Sequence, residues 1–145
     1  LELIGEKGKS RIFKDFAHAP SKVSATVKAV KEQFKDHKVT AILELHTFSS
    51  LTPEFIVGYK GAMDAADEAI VYFNPEAVAH KNLPPLSEAI VKEAFANNSI
   101  LVTTDADAIF DNQKEQFGEK DVLLIMTSGN FHGKNLEEEA GKILR

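Results

Sequence analysis

Four short segments carry residue types that could do chemistry. Phe13 to Pro20 (FKDFAHAP) sets an aspartate, a histidine and a proline within six positions at the end of an apolar run. A carboxylate there can accept hydrogen bonds from ribose hydroxyls, and an imidazole can stack on or bond to a base; the same residues also suit a plain turn. Ile100 to Ala108 (ILVTTDADA) places Asp105 and Asp107 just past another apolar run, as a phosphotransferase places its nucleophile and acid. Asp105 equally fits a helix N-cap, among the best uses of that residue type, and the cap is the favoured expectation. Gly5 to Ser10 (GEKGKS) ends like a phosphate-binding loop. Leu3 stands where that motif needs its first glycine and an apolar run follows in place of a helix, so a hairpin turn is expected. Ser128 to Gly133 (SGNFHG) closes the set, with turn residues that tolerate left-handed backbone.

The elements that must position these segments follow from periodicity. Arg11–Phe16, Lys38–Leu45, Glu68–Phe73, Ser99–Thr103 and Asp121–Thr127 have the β-branched, apolar composition of strands, several continuous enough to be buried on both faces. Leu1 to Leu3 resembles the end of a strand already in progress. Helical spacing runs from Ser21 through Val23, Val27, Val30 and Phe34. Further helices are expected from Thr52-Pro53-Glu54, from Ser87 to about Ala96, from Asp105 to about Phe117 before Gly118, and from the cap Asn135. A β-α unit repeated five times predicts an α/β, three-layer Rossmann-like domain: a mostly parallel sheet with helices on both faces. Such sheets bind ligands at the carboxyl ends of their strands, so the loops after Phe16, Leu45, Phe73, Thr103 and Thr127 are the places to look.

Composition narrows the function classes. The 145 residues include 43% apolar ones, enough for one core, and the formal net charge of −5 shows no basic stripe along the sequence, so neither nucleic acid nor a membrane is expected as partner. The absence of cysteine removes disulfides, thiolate nucleophiles and zinc fingers, and favours a cytoplasmic location. Apolar runs reach about six residues, far below the roughly 20 that a membrane helix needs. The start at Leu1 suggests a boundary inside a longer polypeptide. His80, Lys81 and the acidic run Glu137–Glu139 carry no motif, the last being ordinary complementation of a helix dipole.

Asp15-Phe16-Ala17-His18-Ala19-Pro20 resembles the D-[YF]-x-H-x-P signature that opens the C-terminal domain of Mur ligases. The segment before it is similar to the strand leading into that domain. Glu44 to Ser49 falls where the family has an acceptor-facing loop, and Thr127 to Phe131 where it has a Gly-rich loop, so the resemblance spans essentially the whole chain. Within the family the DFAH form and the SGNFHG loop are most similar to the ligases that add the tripeptide L-alanyl-γ-D-glutamyl-meso-diaminopimelate to UDP-N-acetylmuramate. The L-alanine-adding ligases are the alternative, but they usually carry an arginine-rich stretch where this chain has Thr47, Phe48, Ser49 and Ser50.

The resemblance implies an ATP-dependent, amide-forming ligase of peptidoglycan assembly or recycling, working through an acyl phosphate. ATP and magnesium would be held mainly by a central domain, and the UDP-sugar by an N-terminal one, neither of which is in this sequence. This domain alone would be inactive and would contain no catalytic residue. Asp15 and His18 would face the ATP ribose and adenine, while His46, Ser49, Ser128 and Asn130 would lie toward the acceptor. Two other classes remain open: a phosphotransferase using Asp105 and Asp107, and a non-catalytic nucleotide- or peptide-binding module.

Overall fold

A computed structural model describes all 145 residues. Six strands, β1 (Glu2–Lys7), β2 (Ser10–Asp15), β3 (Lys38–Leu45), β4 (Glu68–Phe73), β5 (Leu101–Thr103) and β6 (Asp121–Met126), form one sheet in the order β1-β2-β6-β3-β4-β5. The five strands from β2 onward pair in parallel, and β1 is antiparallel to β2. The hairpin between them turns on Gly8-Lys9, with Gly8 at φ +58°, the left-handed position that a two-residue turn of type II′ gives to glycine. GEKGKS is therefore a hairpin, as its poor phosphate-loop context implied, and β1 is a whole strand added to the five expected.

The helices are α1 (Pro20–Gln33), α2 (Pro53–Ile56), α3 (Pro75–His80), α4 (Glu88–Phe95), α5 (Ala106–Gln116) and α6 (Leu136–Ile143). The strands β2 to β5 advance in one direction across the sheet, and the chain then returns to insert β6 between β2 and β3. That reversal puts α1 to α4 on one face and α5 and α6 on the other. Side chains on the central strands alternate accordingly. Val39, Ala41, Leu43 and Leu45 join Val23, Val27 and Val30 of α1 and Phe95 of α4 in the larger core, whereas Ile42, Ile70, Tyr72, Leu123 and Ile125 meet Ile109 and Phe110 of α5 and Ala140 of α6.

Several boundaries differ from expectation for local reasons. The first helix opens at Pro20 with no side-chain cap, since proline at N1 lacks an N–H that would be unpaired there anyway. Thr52 does not cap a long helix. Its hydroxyl donates back to Phe48 O at 2.8 Å, and α2 is a single turn flanked by 3-10 turns at Ser49–Leu51 and Val57–Tyr59. Leu51, Ile56 and Tyr59 along this broken path are all buried in the larger core. The proline-containing loop after β4 holds the short α3, capped by Asn74 accepting from Glu76 N. The fifth strand shortens to three residues because Asn97 turns the chain, its side chain accepting from Ser99 N. No helix is long and apolar enough to cross a membrane.

Candidate functional site

The reversal that inserts β6 brings together three segments that are far apart in sequence. The carboxyl ends of β2, β6 and β3 are neighbours, so the loops after Asp15, Met126 and Leu45 form one rim. The ladder continues past β6, where Thr127 N donates to Asp15 O at 3.0 Å.

The first loop is held from within and from behind. Asp15 Oδ1 accepts from Ala17 N at 2.8 Å. His18 Nδ1 faces the Phe16 carbonyl at 2.9 Å, which makes Nδ1–H the donor and leaves Nε2 outward. Tyr59, buried and stacked on Phe95 at 5.2 Å, donates its hydroxyl to the His18 carbonyl. Burial pushes that phenol up to about 12, so it acts as a neutral donor. Phe16 stands 71% exposed on the rim, its ring meeting His18 edge-on at 5.4 Å.

The last loop is anchored on a buried carboxylate. Glu44, near the carboxyl end of β3, is 2% exposed. Its Oε1 accepts from Thr127 Oγ1 at 2.5 Å and from Phe131 N at 3.1 Å, while Thr127 Oγ1 itself accepts from Gly129 N at 2.8 Å. A side chain on Gly129 would place Cβ 2.7 Å from Glu44 Oε1 and 2.7 Å from His46 Cγ, so only glycine fits above this pair. The Phe131 ring is fully buried, stacked on Tyr72 at 5.4 Å and edge-on to Phe110 at 5.7 Å. Left-handed backbone falls on Phe131, His132 and Gly133 (φ +47°, +58° and +82°) and not on Asn130, where the turn composition had suggested it.

The expected site residues gather unevenly. Asp15 and Asn130 line one cleft of about 630 Å³ with Lys14, Phe16, Lys134 and Glu137. His18 and Ser49 share an adjoining recess of about 330 Å³ with Thr47 and Tyr59. His46 and Ser128 line neither. His46 is half-buried against Gly129, and the Ser128 hydroxyl is buried with no hydrogen-bond partner. Within the first cleft Lys14 and Glu137 pair at 2.9 Å, a hydrogen bond that raises the lysine and lowers the carboxyl. Glu137 of the acidic run thus has a place on the rim.

Asp105 caps α5, accepting from Ala108 N at 3.1 Å, and Asp107 pairs with Lys134. Both carboxylates of the DADA segment are therefore engaged with the protein. No group of three or more histidine, aspartate or glutamate side chains stands close enough to hold a metal ion. Glu44 is the residue that sequence reasoning missed. Its signal was present: an acid inside KVTAILEL, a mostly apolar strand buried on both faces, must find buried donors.

Comparison with known proteins gives this geometry relatives. The family described as "Mur ligase, glutamate ligase domain" matches residues 1–129. A UDP-N-acetylmuramate–L-alanine ligase of Chlorobaculum parvum is 29% identical over 121 residues, covering 81% of this chain and 26% of the relative. Among solved structures, a murein peptide ligase from Psychrobacter arcticus superposes with a TM-score of 0.74 at 21% identity, over 99% of this chain and 29% of that one. A domain from a UDP-N-acetylmuramate:L-alanyl-γ-D-glutamyl-meso-diaminopimelate ligase of Haemophilus ducreyi gives 0.60 at 23% identity, over 99% and 96% of the two chains. At these identities the structural likeness concerns the fold. The chain spans about a quarter of the length of the curated relatives it matches.

Proposed function

The chain belongs to the Mur ligase family as its glutamate ligase, C-terminal domain, and from that premise we propose that it forms the acceptor side of an ATP-dependent ligase. This ligase joins L-alanyl-γ-D-glutamyl-meso-diaminopimelate to UDP-N-acetylmuramate. The carrying observation is that the DFAHAP loop and the SGNFHG loop, with the loop after β3, lie side by side on one rim.

In the proposed reaction a carboxylate oxygen of the nucleotide-sugar attacks the γ-phosphorus and ADP leaves. The acceptor amine then attacks the acyl carbon, phosphate departs, and the nitrogen gives up a proton. Such chemistry depends on positioning and on keeping water from the acyl phosphate. In this reading Asp15 fixes its loop through Oδ1 and stands at the cleft wall facing the ATP ribose. His18 presents Nε2, and the exposed Phe16 offers a ring face for adenine. Ser49 and Asn130 face the acceptor from opposite flanks, with His46 and Ser128 supporting the loops behind them. UDP-N-acetylmuramate and the phosphates belong to companion domains, over which this domain would close as a lid.

A second reading, an L-alanine acceptor, is favoured by the names of sequence relatives that are 26% to 32% identical. The absence of an arginine-rich stretch at Thr47–Ser50 favours the tripeptide. Phosphate release by the full-length protein with ATP, magnesium and UDP-N-acetylmuramate separates the two. Release dependent on tripeptide is the expected result, release with L-alanine alone moves the chain to the second reading, and silence with both refutes each.

A further inference from the structure

At the amino ends of the strands, opposite the rim, lies a cleft of about 890 Å³ between the β1–β2 hairpin, the loop from α5 to β6 and the end of α6. Lys7, Lys9, Lys114, Lys120 and Arg145 line it, against the single acid Glu119. These cations are scattered along a chain of net charge −5, and only the fold gathers them. Phe117, Ile143 and Leu144 give the cleft an apolar side. We propose that this cleft binds a soluble organic phosphate of the nucleoside diphosphate type, with its phosphates on the lysines and its flat apolar body on Phe117 and Leu144. The site is distinct from the rim, which lies about 20 Å away at the other end of the six-residue β6.

Three observations support the assignment. The first is uncommitted charge. Lys114 lies in the last turn of α5 and pairs with Asp111 and Glu139, so its own helix accounts for it. Lys7, Lys9 and Lys120 stand on no helix, are exposed, and make no ion pair or side-chain hydrogen bond. Three free ammonium groups in one cleft match the charge and the acceptor oxygens of a diphosphate. The second is bracing. Ser10 Oγ donates to Gly118 O at 2.7 Å, tying the hairpin to the loop before β6, and Gly118 N donates to Asp121 Oδ2 at 2.8 Å. The Gly8 carbonyl accepts from Arg11 Nη1 at 2.7 Å, and the Lys9 carbonyl from His37 Nε2 at 3.1 Å. Both lysine-bearing turns are thus fixed before a ligand arrives, which lowers the entropy that binding costs. The third is the apolar side. Phe117 and Leu144 are half-buried, packed from beneath by the core under α5 and α6, and a recessed ring beside cations suits a base. None of the large exposed apolar side chains of the chain lines this cleft, so it offers nothing to insert into a bilayer. A concave site of this volume fits a small anion in preference to a membrane surface.

The test is lysine acetylation of the full-length protein, read residue by residue by mass spectrometry, with ADP as the probe. A residue-resolved readout separates this cleft from any nucleotide site in companion domains. ADP should slow acetylation of Lys7, Lys9 and Lys120 by about threefold or more and leave the exposed Lys28 and Lys92, which are remote from the cleft, unchanged. Lys9→Gln alters an exposed side chain without partners, so the fold is retained. It should raise the ADP concentration that half-protects Lys7 and Lys120 about tenfold, the size of one charged hydrogen bond lost. Absence of protection would overturn the proposal. So would the same half-protecting concentration in wild type and variant, which would trace the protection to ADP bound elsewhere. Pyrophosphate protecting as well as ADP would remove the apolar body from the recognition and overturn it too. Protection by phosphatidylglycerol vesicles and not by ADP would put a membrane surface in place of the soluble ligand.

Discussion

Substituting Gly129 by alanine tests the anchored loop directly. The new Cβ would sit 2.7 Å from Glu44 Oε1, 2.7 Å from His46 Cγ and 3.0 Å from His46 Cδ2, all well inside van der Waals contact. The imidazole can swing away, but Glu44 is held by Thr127 and Phe131 and cannot move without losing at least one of those bonds. Overpacking costs about 1–3 kcal/mol and a lost hydrogen bond about 1 kcal/mol, so a destabilisation of about 2–4 kcal/mol is expected. For a domain of this length that lowers the melting temperature by about 5–12 °C. Gly141→Ala is the matched control. That position lies on the exposed face of α6, where an added methyl would meet nothing within 4 Å, so alanine should stabilise by about 0.5–1 kcal/mol through backbone entropy alone. Urea unfolding of both variants gives the difference. A Gly129→Ala midpoint within about 0.5 kcal/mol of wild type would refute the tight packing of Gly129 over Glu44 and His46.

Two further outcomes test separate parts of the structure. Burial pushes Asp67 upward, but hydrogen bonds from Lys31 and Val39 N, with the charges of Lys31 and Lys38, outweigh it and hold the carboxyl below its usual range. A depressed carboxyl contributes stability above its ordinary value of about 3.9 and loses it as pH falls through the lower folded value. Asp67→Asn should therefore cost up to about 1 kcal/mol at neutral pH, the range for an exposed pair, with the deficit shrinking as pH falls below the ordinary carboxyl value of about 3.9; a deficit constant down to about pH 2 would contradict the ion pair. Asp105→Ala removes the α5 cap and should destabilise by about 1 kcal/mol, and the wild-type chain should not hydrolyse p-nitrophenyl phosphate with magnesium. Hydrolysis by wild type that Asp105→Ala abolishes would restore the phosphotransferase class.

What the sequence made legible is what short-range physics determines. Ser87, Asp105 and Asn135 cap their helices as their side chains suggest, because a cap is satisfied by an N–H three residues on. Thr52 has the same local signature and fails, because the path from Leu51 to Tyr59 is set by what those side chains pack against. The strand segments were legible, but their order was not. Nothing local to Asp121–Met126 tells it to insert between β2 and β3, yet that insertion is what makes one rim of three distant loops. The same limit applies to the site. Asp15, His18, Ser49 and Asn130 reach clefts, whereas His46 and Ser128 are taken up by the packing around Gly129 and Glu44, a contact between residues more than 80 positions apart.

The loop from Thr127 to Lys134 borders two polar clefts at the carboxyl ends of the strands, so its rigidity decides whether binding must order it. Left-handed backbone at Phe131 and His132 costs about 1–3 kcal/mol each. Against this stand a fully buried Phe131 ring, whose removal typically costs about 3–5 kcal/mol, and two hydrogen bonds to a buried carboxylate, each worth about 1.5–3 kcal/mol. The anchors exceed the strain, so the loop is held in its bent form before any ligand arrives. A pre-formed wall spares the ligand the entropy of ordering it. The side chains the loop displays are then fixed in place, Asn130 toward one cleft and His132 toward the other, with Lys134 bordering both.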